Sequence, residues 1–177
     1  MIRKASIQKS NPEFIPLIAK LLSSEFRANL FDIKSALVVF NRFMDALVDD
    51  IWVFIETGYV DKVYRDSYYK YYASKATDYV KNCIKLSFFY NLSEPLPNEL
   101  DASRKDFYQQ HYGGFLILRP TLPSVIGRNA ISPNVLKNKG FVVCLTQINA
   151  TVDDLKFSLN AFPASSQDGE NITCAET

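Results

Sequence analysis

An α+β fold is what this 177-residue sequence predicts, and three observations predict it. Apolar residues recur at helical spacing through most of the first 80 positions. From Cys83 onward the period shortens to the alternation of strands. The composition, 47% hydrophobic and 22% charged, is that of a chain able to bury a core. Together they predict a helical N-terminal half packed on a mostly antiparallel sheet of about four or five strands. The expected organisation is one α+β domain over 1–162 and a polar tail over 163–177 leading into the start of a helix.

The elements follow in order. Ser10, Asn11, Pro12 and Glu13 offer a capping side chain, a proline near the first helical position and an acid in the first turn. Ile15, Ile18, Leu22 and Phe26 follow at steps of three and four, predicting a helix from about 12 to 29, with Pro16 tolerated near its start. A second helix is signalled by Ile33, Leu37, Phe40, Met44, Leu47 and Ile51, with Asp32 as its expected N-cap; burial in the chain's own core is the expected use of that stripe. Asp49 and Asp50 interrupt the pattern. Ile51 to Ile55 reads equally as a helix end or a short buried strand, and periodicity does not decide between them. Gly58 marks a turn. Tyr59 to Tyr79 holds seven of the ten tyrosines, and Tyr64, Tyr68, Tyr71, Tyr72 and Tyr79 share one face of a helix.

Ile84 to Tyr90 reads as a strand, and 91–106, with Pro95 and Pro97, as a surface loop. Gly113 and Gly114 lead into a strand at Phe115 to Leu118 that stops at Pro120, because proline cannot donate to a ladder. Val125 to Ser132 forms a short strand. The β-branched run Phe141 to Ile148 suits a central strand. Leu155, Phe157, Leu159 and Ala161 alternate with polar residues as a half-buried strand.

Composition also excludes functions. Twenty Lys and Arg stand against nineteen Asp and Glu. With a net charge of +1 the chain lacks the basic field of a dedicated nucleic-acid binder. A single histidine, His111, rules out a multi-histidine metal site within one chain, so neither metal nor cofactor is expected. The N-terminal residues are polar rather than an apolar signal core, and no apolar run approaches the roughly 18 residues of a membrane span. A cytoplasmic protein away from membranes is the expectation. Three cysteines, few and odd in number, do not make a disulfide framework. Asn91, Asn149 and Asn171 begin Asn-X-Ser/Thr triplets that read as chance without a secretory context. Cys83 and Cys144, in apolar strand-like surroundings, are expected to be buried and inert. His111 is expected to be a surface or hydrogen-bonded structural residue. Gly113-Gly114 lacks a following Gly-Lys-Ser/Thr and a helix start, so it is no phosphate loop. The adjacent acids Asp153 and Asp154 suit a turn.

Two stretches carry chemistry. In the tail, Gln167 precedes Cys174 by seven positions, Asp168-Gly169 makes a turn between them, and Thr173 to Glu176 looks like a helix start. A helix N-terminus stabilises a thiolate, and a glutamine amide can donate to an oxyanion. This segment resembles the Gln…Cys stretch opening the catalytic helix of papain-like cysteine peptidases, especially a bacterial branch with a Gln-Asp…Cys-Ala pattern. The resemblance covers about eleven residues. It departs from papain in a wider Gln-to-Cys separation and in Ala175 where a glycine follows the cysteine. It implies Cys174 as nucleophile and Gln167 as oxyanion donor. In that family the histidine follows the cysteine, whereas His111 precedes it. The resemblance therefore implies the N-terminal part of a thiol hydrolase, inactive alone, whose partner is the remaining C-terminal part of its own protein or another protein.

The other stretch is the tyrosine segment. Tyr64, Tyr68, Tyr71 and Tyr72, interleaved with Arg65, Lys70 and Lys75, suit either a face that binds another protein or phenol rings packed on the sheet. Six basic against three acidic residues between Asp61 and Lys85 are too few to hold nucleic acid in salt. A non-enzymatic binding module is the alternative function.

Overall fold

The computed structural model describes residues 4–75, 78–140 and 144–165. Seven strands and four α-helices lie among them: β1 (Lys4–Gln8), α1 (Phe14–Phe26), α2 (Leu30–Asp45), β2 (Trp52–Tyr59), α3 (Lys62–Lys70), β3 (Cys83–Phe89), α4 (Lys105–His111), β4 (Tyr112–Leu118), β5 (Ile126–Ile131), β6 (Thr146–Val152) and β7 (Leu155–Ser165). The strands form one antiparallel sheet in the order β1-β2-β3-β4-β5-β7-β6. The α+β class stands, and the sheet is larger than the expected four or five strands. Ile51 to Ile55 resolves as strand, because Val53 and Ile55 must pair with β3. The polar β1 gives little sequence signal because it is an edge strand, half-covered along most of its length.

The two helices of the N-terminal half take the faces their spacing dictates. α1 buries Phe14, Ile18, Leu21, Leu22 and Phe26. Asn11 Oδ1 accepts from the Glu13 amide just before it, and Arg27 ends it in the left-handed region. α2 buries Ile33, Ala36, Phe40 and Met44. Its N-cap is Asn29, whose side chain accepts from the Asp32 amide at 2.9 Å, so Asp32 sits in the first turn rather than at the cap. The helix ends at Asp45, and Leu47 and Ile51 are buried beyond it, continuing the apolar stripe without the helix.

Both helices pack on one face of the sheet. Val53 and Ile55 of β2, Ile84, Leu86 and Phe88 of β3, and Leu116 and Leu118 of β4 join them in one apolar cluster. The opposite face is covered by the chain itself. The β6–β7 hairpin turns at Asp153 and Asp154, both at positive φ as a two-residue hairpin requires. Its rings fold over the sheet: Phe157 lies 5.8 Å from Phe89 and 4.9 Å from Tyr112. Its tip is tied down on the far side. The Asp153 carboxylate accepts from Lys4 of β1 and from the Leu100 amide, and the Asp153 amide donates to Glu56 Oε1 of β2. The sheet thus curls back on itself, and β3 and β4 are buried along their whole length.

Three further differences from expectation have physical causes. The segment 91–106 ends in a helix, α4, whose Gln109 side chain pairs with the backbone of Ser158 in both directions. The strand expected at Phe141 to Ile148 is not central. Residues 141–143 lie outside the described residues, and β6 begins at Thr146 and forms the sheet's outer edge. Cys144 is consequently exposed rather than buried. Gly58 lies within β2, at φ 69, where the register shifts between Glu56 and Tyr59.

Candidate functional site

Alternation in β2, β3 and β4 decides what the inner, curled face contains. The residues between the helix-facing ones are Phe54 and Glu56, then Cys83, Lys85 and Ser87, then Phe115 and Ile117. Lys85 is opposite Glu56 in register and is 1% exposed. The curl leaves a cavity of about 640 Å³ over this part of the face. Its walls come from β2 to β7 and α4, with Tyr59, Phe115 and Phe157 as aromatic surfaces. Four cations line it: Lys85, Lys105, Arg128 and Lys156. No carboxylate does among the described residues.

Each inner cation has a partner just outside the wall. Lys85 Nζ donates to the Thr151 carbonyl of β6 and lies 3.6 Å from Glu56 Oε2, with the Tyr59 ring centre at 5.0 Å. Burial pushes the Lys85 amine below its ordinary pKa, against the pull of Glu56. Arg128 pairs with Asp61 at 3.0 Å and lies over Phe115. Asp61 is also the N-cap of α3, accepting from the Tyr64 amide, so the helix start and the cavity wall are fixed by one carboxylate. Burial likewise raises the Tyr59 hydroxyl pKa. Lys105 and Lys156 are exposed at the rim and form no ion pair among the described residues. The arrangement presents positive charge and ring faces to whatever enters.

The described residues among those singled out by sequence fall elsewhere. Cys174 and Gln167 lie outside the described residues. Tyr64 and Tyr72 are buried, Tyr68 and Tyr71 are half-buried, and Tyr69 is exposed. Tyr64 donates to the Val80 carbonyl, and the Tyr72 ring packs at 5.9 Å from Tyr64 and 4.8 Å from Tyr79. The single helical face expected of these tyrosines is not formed, because α3 ends at Lys70; Tyr64 and Tyr72 pack in the apolar cluster on this side of the sheet. His111 ends α4, with Nδ1 2.9 Å from the Tyr90 carbonyl and its ring against Phe107, in the structural role expected of it. Cys83 is buried as expected, and burial raises its thiol pKa well above the ordinary range. Gly113 and Gly114 are strand residues. A side chain on Gly114, at φ 124, would meet the Ala130 carbonyl oxygen at 2.1 Å, so close strand pairing explains that glycine.

Lys85 is the residue that sequence reasoning passed over. Its alternation with Ile84 and Leu86 assigns it to the polar face of a half-buried strand, and only the long-range curl buries that face. No metal-ligating cluster of His, Cys, Asp and Glu occurs among the described residues, and no helix there is long and apolar enough to cross a membrane. The chain matches no protein-family model, no curated protein and no solved structure.

Proposed function

We propose that this chain is a binding module that takes a small organic anion into the cavity of its curled sheet. The observation that carries the reading is the imbalance of charge at the cavity wall, where the described residues supply four cations and no carboxylate. Glu56 and Asp61 offset Lys85 and Arg128 from behind. Lys105 and Lys156 remain to meet a negative group at the rim, and Tyr59, Phe115 and Phe157 supply surfaces for a flat ring. The volume lies within the range of about 300–1,000 Å³ usual for small-molecule sites.

Calorimetric titration with pyridoxine 5′-phosphate, a flat ring with one phosphate and no carbonyl, tests this. Binding tighter than about 1 mM is expected, weakening as salt is added. Reversing both rim charges, Lys105→Glu with Lys156→Glu, should weaken it by about tenfold or more, since each lost charge contact is worth about 1 kcal/mol. No heat, or equal affinity in the reversed variant, would overturn the reading.

A second reading follows from the resemblance at Gln167 and Cys174: that the sheet precedes a thiol nucleophile in a longer hydrolase. The two other thiols make a clean test of it. Cys83 is buried with a raised pKa and Cys144 is exposed. In the longer protein carrying Cys144→Ser, iodoacetamide at mildly acidic pH should label Cys174 and leave Cys83 intact. Labelling of Cys174 no faster than a free cysteine counts against a nucleophile.

A further inference from the structure

Lys85 is costly where it stands. A buried ammonium loses its hydration, and even beside a carboxylate the pair is often less stable than apolar residues of the same volume. Its neighbours on the same face, Phe54, Phe115 and Ile117, show that apolar side chains fill this face readily. A second observation lies beside it. Glu56 Oε2 is buried and accepts no hydrogen bond, while Oε1 is held by the Asp153 amide. A fixed carboxylate oxygen without a hydrogen-bond donor, 3.6 Å from a buried amine at the wall of a cavity, is an arrangement for moving protons to and from that amine. Burial favours the neutral amine, the form that carries a lone pair.

We propose that Lys85 is a nucleophilic amine that forms an imine with an anionic aldehyde or ketone held in this cavity. The inference rests on the anion-binding reading and deepens it, with Lys105 and Lys156 meeting the anionic group and Lys85 the carbonyl. Glu56 Oε2 first takes a proton from the Lys85 ammonium, leaving a neutral amine beside a protonated carboxyl. The Nζ lone pair then adds to the carbonyl carbon, the C=O π pair moves to oxygen, and a proton passes from nitrogen to that oxygen to give a carbinolamine. Glu56 then delivers a proton to the hydroxyl, which leaves as water as the nitrogen lone pair forms the C=N bond. Glu56 takes its proton back from nitrogen. One water is released and nothing is oxidised or reduced. The Tyr59 and Phe115 rings flank the new bond.

Pyridoxal 5′-phosphate followed by borohydride reduction, with the adduct mapped by peptide mass spectrometry, tests the step on the intact chain. The expected result is a reduced adduct on Lys85 in preference to the rim lysines, blocked by excess pyridoxine 5′-phosphate and absent from Lys85→Arg. Glu56→Gln should slow its formation by about tenfold or more, the usual scale of one lost proton-transfer group being at least that. Adducts on Lys105 or Lys156 but not on Lys85, with pyridoxine 5′-phosphate still binding, overturn the imine and leave the binding reading intact. Pyridoxal lacking the phosphate reacting at Lys85 just as fast would sustain the reactive amine and overturn the anionic requirement. Mapping on wild-type protein keeps the test decisive even where a variant fails to fold.

Discussion

The two faces of strands β2, β3 and β4 are built from alternate residues of the same segments and are both largely covered, yet only one of them carries charge. The face under α1 and α2 is apolar throughout: Val53, Ile55, Ile84, Leu86, Phe88, Leu116 and Leu118. The curled face holds Glu56, Lys85 and Ser87 among its rings. Burial alone therefore does not explain the sheet. One face is what a packed core needs, and the other carries polar groups that a core optimised for stability would replace. The difference teaches that both faces of this fold bury apolar side chains, and that only the curled one also holds the charged groups of the candidate site.

The largest effect expected from breaking that contrast is a charge on the wrong side. Leu86→Lys places an ammonium among the helix-facing residues, with no carboxylate in the cluster to meet it. A loss of more than about 4 kcal/mol is expected, enough to unfold much of the population. Leu86→Met at the same position keeps volume and polarity and should cost under about 1.5 kcal/mol. Denaturant unfolding followed by circular dichroism measures both. Similar small losses for the two would mean that the apolar face tolerates charge, and the contrast would fall.

The converse change sharpens it. Lys85→Met one residue away removes a charge from the curled face and leaves Glu56 facing an apolar group. A loss of about 3 kcal/mol is expected, mostly from the stranded carboxylate. Adding Glu56→Gln keeps an acceptor for the Asp153 amide and removes the charge. The double variant should regain wild-type stability or exceed it by about 1 kcal/mol or more, while losing any reactivity toward aldehydes. A double variant less stable than either single one would make Lys85 and Glu56 a stabilising pair and remove the argument that function keeps them there.

How much of this was legible in the sequence follows from which interactions are local. The helices were readable because spacings of three and four report a buried stripe directly, as Ile18 and Leu22, or Ile33, Phe40 and Met44, show. Ile51 to Ile55 stayed open because five apolar residues fit either period, and pairing with β3 decided it. The site was hidden for the same reason. Glu56, Lys85 and Arg128 come from three strands, and nothing in their local sequence separates them from solvated residues. Lys85 in particular alternates just as a surface lysine would. Its burial depends on a hairpin some 66 positions away, whose Thr151 carbonyl it meets. Cys144 failed in the opposite direction: a hydrophobic neighbourhood in sequence became the approach to an edge strand. Of the tyrosines, the spacing predicted one helix face, whereas α3 ends at Lys70 and carries only Tyr64 and Tyr68 of that set, Tyr72 and Tyr79 packing from the chain beyond it.

The smallest expected effect lies where the helix layer ends in solvent. Asp49, just past α2, accepts from Lys9 at 2.8 Å and lies 2.9 Å from Lys137, joining the segment after β1 to the chain beyond β5. Those two ammonium groups, Lys9 foremost, hold its carboxyl from an ordinary 3.8 down to about 2. A carboxylate whose pKa is lowered in the folded chain contributes stability above 3.8 and loses it as pH falls through that window to about 2. Its side chain is well exposed, so solvent screens the contacts and the contribution is slight. Carboxyl carbon titration by NMR should place the Asp49 midpoint near 2 in wild type and nearer 3.8 in Lys9→Met with Lys137→Met. If the wild-type carboxyl already titrates at its ordinary value, the two lysines do not clamp it in solution. The outer layer would then owe its hold at this end to backbone contacts, among them the Leu47–Leu136 bridge, the Val48 amide on the Val135 carbonyl and the Lys137 amide on the Ala46 carbonyl.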